Sequence, residues 1–114
     1  MITHIVTHWV KPDQVERALQ LFEHNGRVVK GVPGLVHRQI LRSTTEPLRF
    51  TAINTWESEE AFQRWMEHPD HMLDSYGKPL SGPAGSDYFE RYKDAGDFDS
   101  RPAESDRYEV IPNP

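Results

Sequence analysis

Asn54-Thr55-Trp56-Glu57-Ser58-Glu59-Glu60-Ala61-Phe62-Gln63-Arg64-Trp65-Met66-Glu67-His68-Pro69-Asp70-His71 joins the end of a strand, a helix cap and an unusually aromatic helix in one run. Ser58 is placed to accept a hydrogen bond from the backbone N–H groups of the turn after it, and Glu59 and Glu60 put negative charge beside the positive end of the helix dipole. The helix therefore starts at Ser58. Ala61, Phe62, Trp65 and Met66 then recur on one face, which must pack on a sheet, a ligand or both.

Working outward, residues 48–56 and 35–42 read as two strands joined by the polar connection Ser43-Thr44-Thr45-Glu46-Pro47, a hairpin. Gly31-Val32-Pro33-Gly34 is the turn before it. Val15, Ala18, Leu19, Phe22 and Val29 repeat at helical period with Gly26 tolerated among them, and Asp13 with Glu16 has capping-box spacing. Residues 2–10 are rich in β-branched side chains and stop at Lys11-Pro12-Asp13, which predicts a first strand. Downstream, Pro69 interrupts the aromatic helix, residues 70–76 form a short turn, residues 77–86 a loop, and residues 87–93 a fourth strand carrying Tyr88, Phe89 and Tyr92. The order is β-α-β-β-α-β, a ferredoxin-like split arrangement of the α+β class: a four-stranded antiparallel sheet with helices on one face. One domain over residues 1–93 is expected, followed by an acidic Pro/Asp/Ser-rich tail over residues 94–114. That tail is expected to be mobile or to dock on a partner subunit, with Tyr108-Glu109-Val110-Ile111 as the arm. The uncovered sheet face is best satisfied by a homodimer packing sheet to sheet.

Composition narrows the chemistry. At 114 residues and 36% hydrophobic, the chain has room for one modest core. It has no cysteine, so it has no disulfide, thiolate metal site or cysteine nucleophile, which fits a reducing cytoplasm. There is no basic leader and no apolar run of the roughly 20 residues that span a bilayer, so a cytoplasmic, membrane-free protein is expected. A net charge of −5 argues against a nucleic-acid partner.

On these features the chain resembles the antibiotic biosynthesis monooxygenase (ABM) domain family of dimeric α+β barrels. The resemblance covers about residues 2–93 in element order. It rests on Val10-Lys11-Pro12 leaving the first strand, Pro33-Gly34 entering the second, and above all Trp56-Glu57-Ser58-Glu59-Glu60-Ala61-Phe62 entering the second helix. It implies a homodimer with one pocket per subunit between the helices and the sheet. The same scaffold hosts cofactor-free quinone-forming monooxygenases, haem-degrading monooxygenases and small-metabolite isomerases. The haem-degrading branch shares the pattern through Trp56 and Trp65, but its ligating histidine falls near Asp74 or Ser75, with His71 close by, and its strand-one asparagine falls among Ile5, Val6 and Thr7.

The quinone-forming branch asks less: a deprotonated phenol can pass an electron directly to O₂, so the protein need only bind an aromatic plate, favour the anion and exclude water. The resemblance then implies Trp65 and Phe62 as the plate-binding wall, with His71, Asn54 and Tyr76 hydrogen-bonding or deprotonating the phenol and Arg38 stabilising negative charge. The leading expectation is an ABM-type monooxygenase oxidising a small phenolic or quinol-like aromatic with O₂ and no bound cofactor. The alternatives are haem binding and cleavage through His71 and Trp65, and a non-catalytic dimer that binds a small hydrophobic molecule.

Other residues bear on the pocket less directly. His4 and His8 share a strand face about 13 Å apart, too far to chelate one ion, and either could line the pocket; His8 is carried as a substrate-binding candidate. His68 and His71 have i,i+3 spacing, but Pro69 breaks the helix between them, so no metal site is expected. Trp56 reads as packing at a strand edge or dimer seam. His37 and Arg38 point to opposite sheet faces, and alternation leaves open which faces the pocket, since Leu35 and Leu41 side with His37 but Val36 and Ile40 with Arg38.

Overall fold

In the computed structural model, residues 1–67 and 98–113 are described, apart from the side chains of His24 and Val28. Four strands, β1 (Ile2–Trp9), β2 (Leu35–Arg42), β3 (Arg49–Trp56) and β4 (Glu104–Glu109), form one antiparallel sheet in the order β2-β3-β1-β4. Helices α1 (Val15–Lys30) and α2 (Glu59–Met66) complete the β-α-β-β-α-β order. This is the ferredoxin-like α+β fold that the element pattern predicts.

The caps explain where the helices begin. Ser58 has extended backbone, and its hydroxyl accepts the Ala61 N–H at 3.1 Å, as its position predicts. The expected capping box at Asp13 does not form: Pro12–Gln14 is a 3-10 turn, and α1 starts behind Gln14 with no side-chain cap. Proline's fixed φ suits the first turn, so the turn starts at Pro12 and Asp13 lies inside it rather than ahead of it. Gly34 has φ +95°, and a Cβ there would lie 2.5 Å from the Ala61 Cβ, so only glycine lets the turn before β2 rest on α2. The Gly34 carbonyl also accepts the Glu57 N–H at 2.8 Å.

The core lies between the helices and the inner sheet face. Phe50, Ala52, Asn54 and Trp56 alternate inward along β3 and are buried. One buried cluster joins Val10, Ala18, Phe22, Phe50 and Phe98, and a second joins Val29, Trp56, Ala61, Phe62 and Trp65. Trp56 is therefore not at a strand edge or dimer seam. It is fully buried and stacked on Trp65, with centroids 6.1 Å apart and planes at 24°. The register takes Trp56 inward with Asn54, and no surface position on that face is left for it.

The fourth strand is the main departure. Residues 87–93, where it was expected, lie outside the described residues, as do the turn at 70–76 and the loop at 77–86. The strand beside β1 is instead Glu104–Glu109, from the segment read as a tail. The open edge of β1 carries backbone groups that need partners, and this segment supplies them in regular register from Ile2↔Glu109 to Thr7↔Glu104. Ahead of it, Lys11 N–H donates to the Phe98 carbonyl at 2.7 Å, and Ser100 N–H donates to the Trp9 carbonyl at 2.7 Å. The returning chain is thus fastened to the end of β1.

Candidate functional site

Antiparallel register sets four polar side chains in one row across the inner sheet face. Arg38 of β2 lies opposite Asn54 of β3, Asn54 opposite His4 of β1, and His4 opposite Arg107 of β4. A bulge between Leu35 and His37 makes this possible. It turns Leu35 inward with Arg38 and Ile40, where Leu35 packs on the Trp56 cluster, and leaves Val36 and His37 exposed. Arg38, not His37, therefore faces the helices.

Arg38 holds Asn54 in one orientation. Its Nη1 donates to Asn54 Oδ1 at 2.9 Å and its Nη2 to the Phe22 carbonyl at 3.3 Å. Because a guanidinium only donates, the Asn54 amide must present its oxygen to Arg38 and turn its N–H₂ away. The guanidinium passes close over α1 at Gly26, where a Cβ would lie 3.2 Å from Arg38 Nε. Burial lowers the Arg38 pKa from its ordinary value, and an arginine stays cationic across the physiological range. The result is a partly desolvated cation behind an oriented amide donor.

On the other side of His4, a cavity of about 610 Å³ opens between α2, β1 and β4, lined by His4, Phe62, Gln63, Met66, Ser105 and Arg107 among others. The Phe62 ring meets the His4 ring edge-on at 5.2 Å, and the Arg107 guanidinium lies 5.1 Å from the Phe62 centroid. His4 Nε2 and Ser105 Oγ are 2.8 Å apart. An aromatic wall, an imidazole and a guanidinium on one cavity can seat a planar phenol and favour its anion.

Of the residues singled out in the sequence, the structure brings Arg38 and Asn54 into direct contact, with Phe62 beside the next residue of the same row, His4. Trp65 is buried against Trp56 behind Phe62, within the apolar cluster. His8 lies elsewhere on the face: its Nδ1 is 2.9 Å from Asp99 Oδ2, and its ring packs on Phe22 and Phe98 at 5.1 and 5.5 Å. A carboxylate only accepts, so Nδ1 carries the proton in this contact. His71 and Tyr76 lie outside the described residues. Sequence reasoning left His4 and His8 as alternatives for the pocket and carried His8, and it missed Arg107 altogether. The alternation of residues 2–8 carried a signal for His4, but the polar run containing Arg107 has no apolar period to mark it as a strand. Among the described residues there is no group of three or more His, Asp or Glu that could hold a metal, and no helix long and apolar enough to cross a membrane.

A four-stranded antiparallel sheet with both helices on one face, and a polar row and cavity between them, defines a ferredoxin-like domain. The family model for antibiotic biosynthesis monooxygenases matches residues 1–72, more than half the chain, and the chain belongs to that family. It is similar in structure to SnoaB from Streptomyces nogalater, a cofactor-independent oxygenase, at 15% identity and TM-score 0.68 over 98% of this chain and 94% of that one. It is also similar to MhuD, a heme-degrader from Mycobacterium tuberculosis solved with two hemes in its active site, at 23% identity and TM-score 0.64 over 99% and 98% of the two chains. In sequence, it is 38% identical over 48 residues to a mycobilin-producing heme oxygenase of Mycobacterium tuberculosis. That stretch is 42% of this chain and spans about half, 46%, of the relative.

Proposed function

We propose that this chain is a homodimeric monooxygenase that oxidises a small phenolic or quinol-like aromatic with O₂ and without a resident cofactor. The observation that carries the reading is the row Arg38, Asn54, His4, which sets an oriented amide next to an imidazole whose cavity has Phe62 as its aromatic wall. The substrate ring lies against Phe62, the His4 imidazole takes the phenolic proton, and the phenolic end passes His4 to the Nδ2–H of Asn54, which Arg38 holds behind the cavity lining and which stabilises the phenolate oxygen. The anion then reduces O₂. One oxygen atom becomes the new quinone carbonyl, and the other leaves as water with the phenolic and ring hydrogens.

The homodimer covers the outer sheet face, where Ile5 and Ile53 are direct cross-strand partners, flanked by the hydrogen-bonded threonine pairs Thr3 with Thr55 and Thr7 with Thr51. The His71 and Tyr76 roles and the cytoplasmic setting stay part of this proposal.

The stretch 38% identical to a heme oxygenase favours one second reading, haem binding and oxidative cleavage. A porphyrin needs a flat apolar slot and an axial nitrogen. Among the described residues the cavity lining offers Phe62 and Met66 as apolar wall, while the rest of it, His4, Gln63, Ser105, Asp106 and Arg107, is polar and makes no flat apolar slot. The described residues therefore do not fit haem by themselves, and this reading depends on His71, outside them.

Oxygen uptake with a panel of phenols, quinols and anthrones, run beside a ferric haem titration, tests both. Protein-dependent uptake with quinone formation is expected, reduced about 100-fold or more in Asn54→Ala by the loss of one preorganised donor. A saturable Soret shift that bleaches under reductant and air, with no uptake on the panel, would replace this reading by haem cleavage. Binding of panel members without oxygen consumption would leave a non-catalytic carrier.

A further inference from the structure

We propose that Arg107 forms a subsite for a carboxylate, so that the aromatic substrate carries an acidic group besides its reacting phenol. The inference rests on the reading above and narrows its substrate class. It begins from the fourth strand: once Glu104–Glu109 pairs with β1, Arg107 is set directly opposite His4. Both side chains meet Phe62, the imidazole at 5.2 Å between ring centroids and the guanidinium at 5.1 Å, so the two groups stand together on one cavity wall.

The charges around Arg107 leave it able to take a ligand. Its carboxylate neighbour is Glu59, at 3.5 Å between largely exposed side chains, a geometry in which solvent screens most of the attraction. The other acid on the cavity lining, Asp106, is engaged along its own strand: Oδ1 accepts the Arg107 N–H at 2.8 Å and Oδ2 accepts the Tyr108 hydroxyl at 3.2 Å. The planar fork of a guanidinium matches a carboxylate by two parallel hydrogen bonds, and the Phe62 face beneath it accepts the same cation–π contact whether Glu59 or a substrate lies in the fork. In a chain of net charge −5, a cavity rim bearing a guanidinium gives an anionic substrate a place where the overall field does not.

The test is direct binding, followed by quenching of tryptophan fluorescence, of 4-hydroxybenzoate and of its neutral isostere 4-hydroxybenzamide to the full chain and its variants. The wild-type protein is expected to bind the carboxylate at least tenfold more tightly than the amide. Arg107→Gln is expected to bring that ratio to about one, Arg107→Lys to keep part of it, and Glu59→Gln to raise it. Circular dichroism reports whether each variant keeps its sheet. Equal affinity for the two probes in the wild type, or an unchanged ratio in folded Arg107→Gln, overturns the subsite. Because the readout needs no turnover, a carboxylate preference without oxygen uptake would overturn the monooxygenase reading and leave the subsite standing. Uptake on neutral phenols with no such preference would do the reverse.

Discussion

Arg38 shows how one side chain can act on three other residues. Its guanidinium orients Asn54, ties the sheet to the Phe22 carbonyl of α1, and passes so close to position 26 that a Cβ there would lie 3.2 Å from its Nε. In the sequence Gly26 reads as a tolerated interruption of a helix. In the fold it is the gap through which Arg38 passes. Replacing it separates propensity from packing: Gly26→Leu gains about 1 kcal/mol of helix propensity yet drives Arg38 from Asn54, and so forfeits a charged hydrogen bond worth about 1.5–3 kcal/mol. A net loss of stability in urea unfolding is expected for Gly26→Leu. In an Arg38→Met background the same change should turn neutral or stabilising, and a penalty that persists there would place the clash elsewhere. Neither Gly26 nor Arg38 could be assigned this role from spacing, because the contact joins residues of different elements.

At the scale of elements, the local signals were strong where a side chain acts on its own backbone. Ser58 is such a case, and Ser58→Ala is expected to lower the unfolding free energy by about 1 kcal/mol with little change in the buried Trp56–Trp65 stack, measured by denaturant unfolding and near-UV circular dichroism. No loss would mean that tertiary packing alone defines the start of α2. Signals failed where the backbone departs from regular geometry. Alternation along β2 gave contradictory faces because the bulge after Leu35 changes the phase, so Leu35 and Arg38 share a face that strict period two denies them. The Asp13 capping spacing was likewise overridden by the proline-led 3-10 turn.

For the whole molecule, the sheet has two faces of different character. The inner face carries the aromatic core and the polar row. The outer face presents Ile5, Ile53, the threonine pairs, and exposed Leu41 and Tyr108. If a second copy covers it, Ile53→Glu is expected to halve the mass measured by sedimentation while the oriented Asn54, on the opposite face, keeps substrate affinity within about twofold. A wild-type chain sedimenting as a single copy would rule the dimer out. At this scale the returning segment matters most. Phe98 is fully buried in the first core cluster and Asp99 pairs with His8, so the run beyond residue 97 is part of the domain's interior as well as its edge.

The amino-acid sequence alone determined the order of the first five elements, the aromatic face of α2, its serine cap and the family pattern around Trp56. Each of these is written in short-range spacing, where neighbouring side chains and backbone act on one another. Only the tertiary structure decided that Arg38 turns inward, that His4 and not His8 lines the cavity, that Trp56 is core, and that Glu104–Glu109 completes the sheet. Those outcomes depend on register and on the free edge of β1. A backbone edge recruits a polar strand through its hydrogen-bonding groups, which no periodicity of side chains records.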